Sequence, residues 1–437
     1  MSRRDVLALF GDQLRQQWTD NRVYVDRLDE WYRGVHNLPA LPAHTTAEYQ
    51  ELQRRSATPW GALVVTAVAQ SLYVDGYRAA DSSQDAAAWR IWQANGMDSR
   101  QIAIHRGALA HGVAYATVQP GALDDEPMPV IRGVSARKMV SFYDDPAEDE
   151  WALFALRGDS VDFGLDRWRF RLYDAEAIYM FESGGGAVDE KSFSVEEHGV
   201  GRCPVVRYSN MLDLDGRSYG EIEPLVPLLA RIDQDTFDRL VVQRFGAWKV
   251  RYGTGMAEPE TDVEREAQLI LLKVGSVLMN ESPDAKFGTL DETPLGGYID
   301  ARDADIRDLA AVSQTPPHHL LGQVANLSAE ALSAAEAGLS RKVQERKHTF
   351  GESHEQVLRL AADLTGEPSE AGAEVRWRDM ESRSLAQTAD ALGKLAQMLG
   401  VPVEALWERV PGVTQQDVER WKALAAGATP PLLRISD

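Results

Sequence analysis

The fold is decided by residues 314–328, which read QTPPHHLLGQVANLS. Pro316 and Pro317 prevent a preceding helix from continuing, and Ser328 is a favourable N-cap for the helix that follows. From Ser328 onward apolar residues recur at helical spacing as far as Gly366, which indicates a helix roughly 55 Å long. The sequence therefore predicts an exposed loop that leads into one unusually long helix.

The residues upstream of this loop predict two helices that flank a compact insertion. Apolar residues keep helical spacing over 221–246 and again over about 300–313. The 53 residues between 247 and 299 alternate short strand-like runs with one acidic stretch. We expect this insertion to be a small α/β unit.

The rest of the chain divides into a helical beginning, a β-rich middle and a helical end. Residues 1–112 show mainly helical spacing, and residues 113–210 show the short alternating runs of an antiparallel β region. Residues 374–378 predict a lone strand, and helical patterns return from Ser384 to the C-terminus. The predicted fold class is α+β.

Composition excludes several classes of protein. The chain has 437 residues, 44% of them hydrophobic, and a formal net charge of −21, so it repels a phosphate backbone and should not grip DNA tightly. Its single cysteine, Cys203, allows no internal disulfide and no cysteine-rich zinc site. No run of 18 apolar residues occurs, which argues against a membrane span.

Adjacent histidines at 318 and 319 are the most obvious candidate metal ligands. Neighbouring residues project differently from the backbone, and no cysteine or carboxylate lies beside them at a ligand spacing. His105 and His111 are six residues apart, as are His348 and His354, which places each pair on opposed faces of a helix. We therefore predict no metal site and no cofactor.

No pattern in the sequence assembles a catalytic site. Residues 183–186, SGGG, lie between strand-like runs and lack the Lys-Ser/Thr of a phosphate-binding loop. Asp144, Asp145 and Glu148 are carboxylates that a metal-dependent nucleic-acid enzyme would use, but they surround Pro146 in what is better explained as a solvated turn. We expect a protein that is not an enzyme, and keep the nucleic-acid enzyme as an alternative.

The order of these segments resembles the portal protein of tailed bacteriophages, of the siphophage type found in actinobacteriophages. The resemblance covers nearly the whole chain. Its most specific parts are TPPHHLLG at 315–322, NLSAEAL at 326–332 and the run 342–351. WYRG at 31–34, WQANGMD at 92–98 and VRWRD at 375–379 support it.

The resemblance implies a portal-type α+β subunit with named parts. Residues 1–220 would form an α/β wing, 221–246 and 300–313 the two stem helices, and 247–299 a small α/β clip between them. Residues 314–327 would be the tunnel loop, and 328–366 a long helix that crosses back into the wing. A wing strand and a helical crown would occupy 367–437.

The resemblance also implies a function and a set of partners. The subunit would form a ring, typically a dodecamer, at one capsid vertex of the virion, and would assemble in the bacterial host cytoplasm. Double-stranded DNA would pass through the ring during packaging and ejection. The terminase packaging motor, the head–tail adaptor, and the major capsid protein or scaffold would be partners, and no membrane would be involved. A capsid-associated structural protein without a DNA channel is the alternative.

Two groups of residues are predicted to carry this function. We expect the channel to be acidic, with polar side chains of the tunnel loop near its narrowest point: Gln314, His318, His319, Gln323 and Asn326. The exposed end of the clip is our candidate surface for the motor and the adaptor, through five acidic residues: Glu258, Glu260, Asp262, Glu264 and Glu266.

Overall fold

A computed structural model describes most of the chain: residues 1–36, 38, 46–78, 86–123, 125–162, 164, 166–185, 187–246, 251–254, 286–289, 294–322, 329–366, 372–378, 385–410, 412–413 and 415–427. Within these ranges helices and antiparallel strands are combined, so the α+β class predicted from the sequence is confirmed. The predicted clip and part of the predicted tunnel loop lie mainly outside the described residues.

The first 33 residues form a nearly continuous helix against a sheet. Helix α1 (Arg3–Leu9) begins where the Ser2 side chain accepts a hydrogen bond from the backbone of Asp5, and a π-helical turn (Phe10–Leu14) joins it to α2 (Arg15–Arg33). The helix ends at Gly34, whose φ of 68° is left-handed. Buried aromatic and aliphatic side chains fix these helices on the sheet: Val6, Phe10, Leu14 and Trp18.

Four further helices complete the N-terminal part. They are α3 (Ala47–Ser56), α4 (Trp60–Ala69), α5 (Ala86–Ala94) and α6 (Met97–His111). The prediction of a mainly helical beginning is confirmed, with one exception. Strand β1 (Val74–Arg78) follows α4 and pairs antiparallel with β16 (Glu374–Trp377), about 300 residues later.

The strand predicted at 374–378 is confirmed as β16, and its partner is the distant strand β1. Asp75 of β1 is 8% exposed and lies 3.0 Å from Arg376 Nε and 3.3 Å from Arg378 Nε. A buried carboxylate requires such partners, so these ion pairs hold the two distant strands together. Burial raises the pKa of Asp75, against the opposing effect of both arginines.

The β-rich middle is confirmed but divides into two main sheets. Strands β6 to β10 form a five-stranded antiparallel meander, and β11, β2 and β5 form a second sheet in the order β11-β2-β5. The bounds are β2 Val113–Gln119, β3 Ala122–Leu123, β4 Glu126–Pro127, β5 Val130–Ser135, β6 Met139–Phe142, β7 Phe154–Asp162, β8 Arg167–Tyr173, β9 Ala177–Gly184, β10 Ala187–Glu197, β11 Val205–Ser209, β12 Met211–Leu212 and β13 Ser218–Tyr219.

Two helices then run side by side. A 3-10 turn (Glu223–Leu225) leads into α7 (Val226–Gly246), and α8 covers Gly296–Ser313. Leu229, Ile232, Ile306 and Leu309 are buried in the same core. The helices predicted over 221–246 and 300–313 are thus present, the second with four more residues at its start. Between them β14 (Arg251–Thr254) pairs antiparallel with β15 (Lys286–Thr289).

The C-terminal third is dominated by one helix. A short helix α9 (Pro317–Leu321) precedes α10, which spans the 37 residues from Ala329 to Thr365. The predicted long helix is therefore confirmed. Helices α11 (Leu385–Leu399), α12 (Val403–Leu406) and α13 (Gln415–Gly427) follow. Over the described ranges, no helix is both long enough and apolar enough to cross a membrane.

Candidate functional site

The candidate site is the junction at which α8 ends, α9 turns and α10 passes. Gln314 ends α8 in the left-handed conformation, with φ 53°, and Thr315 N donates to Ala310 O at 3.0 Å. Pro316 and Pro317 then turn the chain, because proline fits the first turn of a helix but not its interior. Gly322, with φ 65°, ends α9 after only five residues.

The segment predicted as an exposed loop is partly helical and partly buried. Thr315 is 1% exposed and Leu320 is 6% exposed, and Leu320 belongs to the main hydrophobic core. The prediction of an exposed loop is therefore wrong for Thr315, Pro316 and Leu320, which are buried, and for the helical residues 317–321, although Pro317 and His319 are exposed. Gln314 itself is exposed.

The two adjacent histidines converge on one carboxylate. Glu336 Oε1 of α10 lies 3.0 Å from His318 Nε2 and 3.1 Å from His319 Nε2. The two rings are 4.5 Å apart and nearly perpendicular, so adjacent positions on α9 can present both Nε2 atoms to one side. The argument that these histidines diverge and have no carboxylate beside them is thus wrong, because α10 supplies the carboxylate from 17 residues downstream.

A buried ionic cluster lies farther along α10. Glu221 binds Lys342, and its Oε1 lies 3.1 Å from Arg346 Nη2. The three charged side chains are 5%, 7% and 3% exposed, respectively. Asn210 Nδ2 also donates to Glu221, at 3.2 Å. Burying these charges costs solvation, which the mutual contacts offset only while every partner is present.

Lys342 also connects this cluster to the end of α8. Its Nζ donates to the backbone oxygen of Ser313 at 2.9 Å, which satisfies one of the orphan carbonyls at that helix end. Glu221 lies just before the turn that leads into α7. The start of α7, the end of α8 and the middle of α10 are therefore joined through one buried polar cluster, which we call the Glu221 cluster (Glu221, Lys342 and Arg346).

A second buried network joins α10 to α6 and β11. His354 Nε2 lies 2.8 Å from His105 Nε2, and His354 Nδ1 lies 2.8 Å from the Tyr208 hydroxyl. Burial lowers the pKa of His105 to about 3 and that of His354 well below its ordinary value, so both rings are neutral at pH 7. We assign the Tyr208 hydroxyl as donor to Nδ1 and His354 Nε2–H as donor to His105, which leaves each ring with one proton.

The predicted channel and clip residues are only partly placed. Gln314, His318 and His319 lie together at the junction, whereas Gln323 and Asn326 lie outside the described residues. The five acidic clip residues Glu258, Glu260, Asp262, Glu264 and Glu266 lie outside them too. Both groups therefore remain predictions.

The carboxylates of the enzyme alternative form a turn. Asp145 Oδ1 accepts hydrogen bonds from the backbone of Ala147 and Glu148, at 2.9 and 3.3 Å. In the part of the chain that the structure describes, three or more histidine, cysteine or carboxylate ligands converge at one place, which is His318, His319 and Glu336. Asp144, Asp145 and Glu148 do not form such a group.

Comparison with known proteins agrees with this architecture. The family model described as "Phage portal protein, SPP1 Gp6-like" matches residues 12–430. The portal protein of Mycobacterium phage D29 is 27% identical over 412 residues, covering 89% of this chain and 82% of that protein. The portal protein of Mycobacterium phage L5 is 27% identical over 385 residues, covering 84% and 77%.

A solved structure supports the fold independently. One chain of the neck of an empty GTA particle, computed with C6 symmetry, covers 90% of this chain and 96% of its own length. The TM-score is 0.50 at 12% sequence identity, so the likeness is one of fold. Together with the family match over residues 12–430, these findings confirm the resemblance seen in the order of segments, and the chain belongs to the SPP1 Gp6-like family of phage portal proteins.

Proposed function

We propose that the chain forms a ring, typically of twelve copies, at one capsid vertex, and that double-stranded DNA passes through this ring during packaging and ejection. Membership of the portal family makes the chain a structural component of the phage head and neck, with no enzymatic role. The observation that carries the channel proposal is the packing of α7 against α8, the two helices that precede and follow residues 247–295 in the sequence.

The packing of these two helices supports a stem. Besides their shared apolar core, Arg231 of α7 lies 2.7 Å from Asp305 and 3.1 Å from Asp308 of α8. Strands β14 and β15, which lie between α7 and α8 in the sequence, pair with each other, so the chain leaves α7 and returns toward α8 through an antiparallel strand pair. A hairpin of two packed helices is the arrangement that a stem requires.

The charge of the chain supports transient contact with DNA. Lys and Arg number 46 against 67 Asp and Glu. Tight binding of duplex DNA requires many phosphate contacts from basic side chains, whereas a conduit functions when the duplex can slide. We therefore propose an acidic channel wall, with Gln314, His318, His319, Gln323 and Asn326 near the narrowest point.

Assembly state and channel position can be tested on the purified protein. Mass measurement and negative-stain microscopy should give a closed ring whose hole has the width of a duplex. A high-resolution reconstruction should place Gln314, His318 and His319 on the wall of that hole. Finding them on the outer rim would refute the proposed tunnel, and a chain that remains monomeric with capsid proteins present would favour the structural protein without a channel.

Docking of the packaging motor and the head–tail adaptor is proposed for the clip. Reversing the five clip acids to lysine should abolish binding of the terminase and the adaptor while the ring still forms. The control reverses five exposed acids of the wing: Glu126, Asp189, Glu196, Glu197 and Asp215. Equal binding by both variants would remove the clip from the proposal.

A further inference from the structure

We propose that His318, His319 and Glu336 bind one divalent transition-metal ion, of which Zn²⁺ is the representative, and that this ion fastens α9 to α10. This inference is independent of the proposed channel, since it concerns contacts within one chain. Two imidazoles and a carboxylate form a ligand set that suits Zn²⁺ and its neighbours better than Ca²⁺ or Mg²⁺, which prefer oxygen.

The geometry of the three donors is close to that of a metal site. Bonds of about 2.0–2.1 Å at tetrahedral angles place neighbouring ligand atoms roughly 3.3 Å apart. Glu336 Oε1 lies 3.0 and 3.1 Å from the two histidine Nε2 atoms, and all three donor atoms lie within 4.8 Å of one another. Small side-chain rotations would therefore bring all three donor atoms to bonding distance of one ion, without movement of either helix.

Exposure of the site permits entry of the ion. The side chain of His318 is 11% exposed, and those of His319 and Glu336 are each 34% exposed. One side of the cluster thus faces solvent, so a fourth position remains for water. Backbone geometry fixes the other side, because α9 is held between a proline turn and Gly322 and carries the buried Leu320.

Binding of the ion would have a defined structural effect. Helix α9 has only five residues, too few to be stable on its own, and its described polar contact with α10 runs through these two histidines. A metal would replace the two contacts with Glu336 with coordinate bonds that require all three groups at once. The segment between α8 and α10 would then be fixed at its first helical turn.

The test measures zinc binding to the full-length protein after removal of metal with a chelator. Calorimetry and metal analysis should give one tight Zn²⁺ per chain. His318→Ala, His319→Ala and Glu336→Gln should each weaken this binding at least tenfold. The matched control is His348→Ala, since His348 is an exposed histidine of α10, the helix that carries Glu336, and lies outside the cluster. The zinc affinity of this variant should equal that of the parent.

Glu336→Gln removes the carboxylate while keeping the size and polarity of the side chain. The amide oxygen of glutamine is a poor ligand for Zn²⁺ but remains a hydrogen-bond acceptor beside the imidazoles, so the variant should fold as the parent does. Zinc should slow amide hydrogen exchange at Leu321 and Gly322 in the parent and have no such effect in Glu336→Gln. Equal zinc affinity in the parent and in this variant would overturn the proposal, as would an absence of zinc binding.

Discussion

Acidification should destabilise the chain through the buried histidine pair. His105 has an ordinary pKa of 6.5 and a pKa of about 3 in the fold, chiefly because burial disfavours the charged ring. Between these two values the unfolded chain takes up a proton and the folded chain does not, so the free energy of unfolding falls as the pH falls. Above pH 6.5 neither state is protonated, and the contribution of His105 no longer changes.

The magnitude follows from the separation of the two pKa values. Each pH unit below 6.5 costs about 1.4 kcal/mol, so lowering the pH from 7 to 5 should remove about 2 kcal/mol through His105 alone. His354, whose pKa is also lowered by burial and by the neighbouring His105, contributes in the same direction. Two kcal/mol is a large share of the stability of a typical domain.

The assay compares urea unfolding at pH 7 and pH 5 for the parent and for His105→Gln. The variant removes one titrating ring, so its loss of free energy between the two pH values should be about 2 kcal/mol smaller than that of the parent. His348→Gln removes an exposed histidine of α10, and its unfolding free energy should fall between pH 7 and pH 5 by as much as that of the parent. Equal losses in the parent and in His105→Gln would refute the reasoning.

Two substitutions test the buried packing. Glu221→Gln leaves the buried Lys342 without a countercharge and Arg346 with only the exposed Glu345, and should cost about 3–5 kcal/mol of unfolding free energy, measured by urea unfolding. Glu345→Gln, at a side chain that is 67% exposed and also bound to Arg346, should cost less than about 1 kcal/mol; similar losses in both would contradict this. Gly220→Ala places a Cβ 2.5 Å from the backbone oxygen of Ala110 and should lower the melting temperature, at a cost of about 1–3 kcal/mol. Gly338→Ala, in the interior of α10 with open space around it, should raise the unfolding free energy by up to about 1 kcal/mol. A lower unfolding free energy would contradict the placement of Gly338 in an open helix interior.

Local periodicity predicted the elements well because it depends only on nearby residues. The long helix α10 and the paired helices α7 and α8 lie where apolar spacing placed them. Strand pairing could not be predicted in this way, since β16 pairs with a strand about 300 residues away. No pattern within residues 374–378 indicates that β1 is the partner strand.

Contacts between helices explain why the side-chain clusters were missed. Comparing His105 with His111, and His348 with His354, tests each helix alone, whereas the observed pair is His105 with His354 across two helices. One signal was available for the Glu221 cluster. Arg346 lies on the apolar stripe of α10, and a charge at such a position indicates a buried partner.

The Glu221 cluster and the proposed metal site divide the junction into a fixed part and an adjustable part. Lys342 holds Ser313 as well as Glu221, so separating the end of α8 from α10 would leave the backbone carbonyl of the buried Ser313 without this partner and remove one hydrogen bond from the buried Lys342, which is costly. We therefore expect movement of this segment to begin after Ser313, at α9. Hydrogen exchange should show protected amides in the last turn of α8 and faster exchange at Leu321 in metal-free protein; equal protection of both would show that α9 is fixed by packing alone.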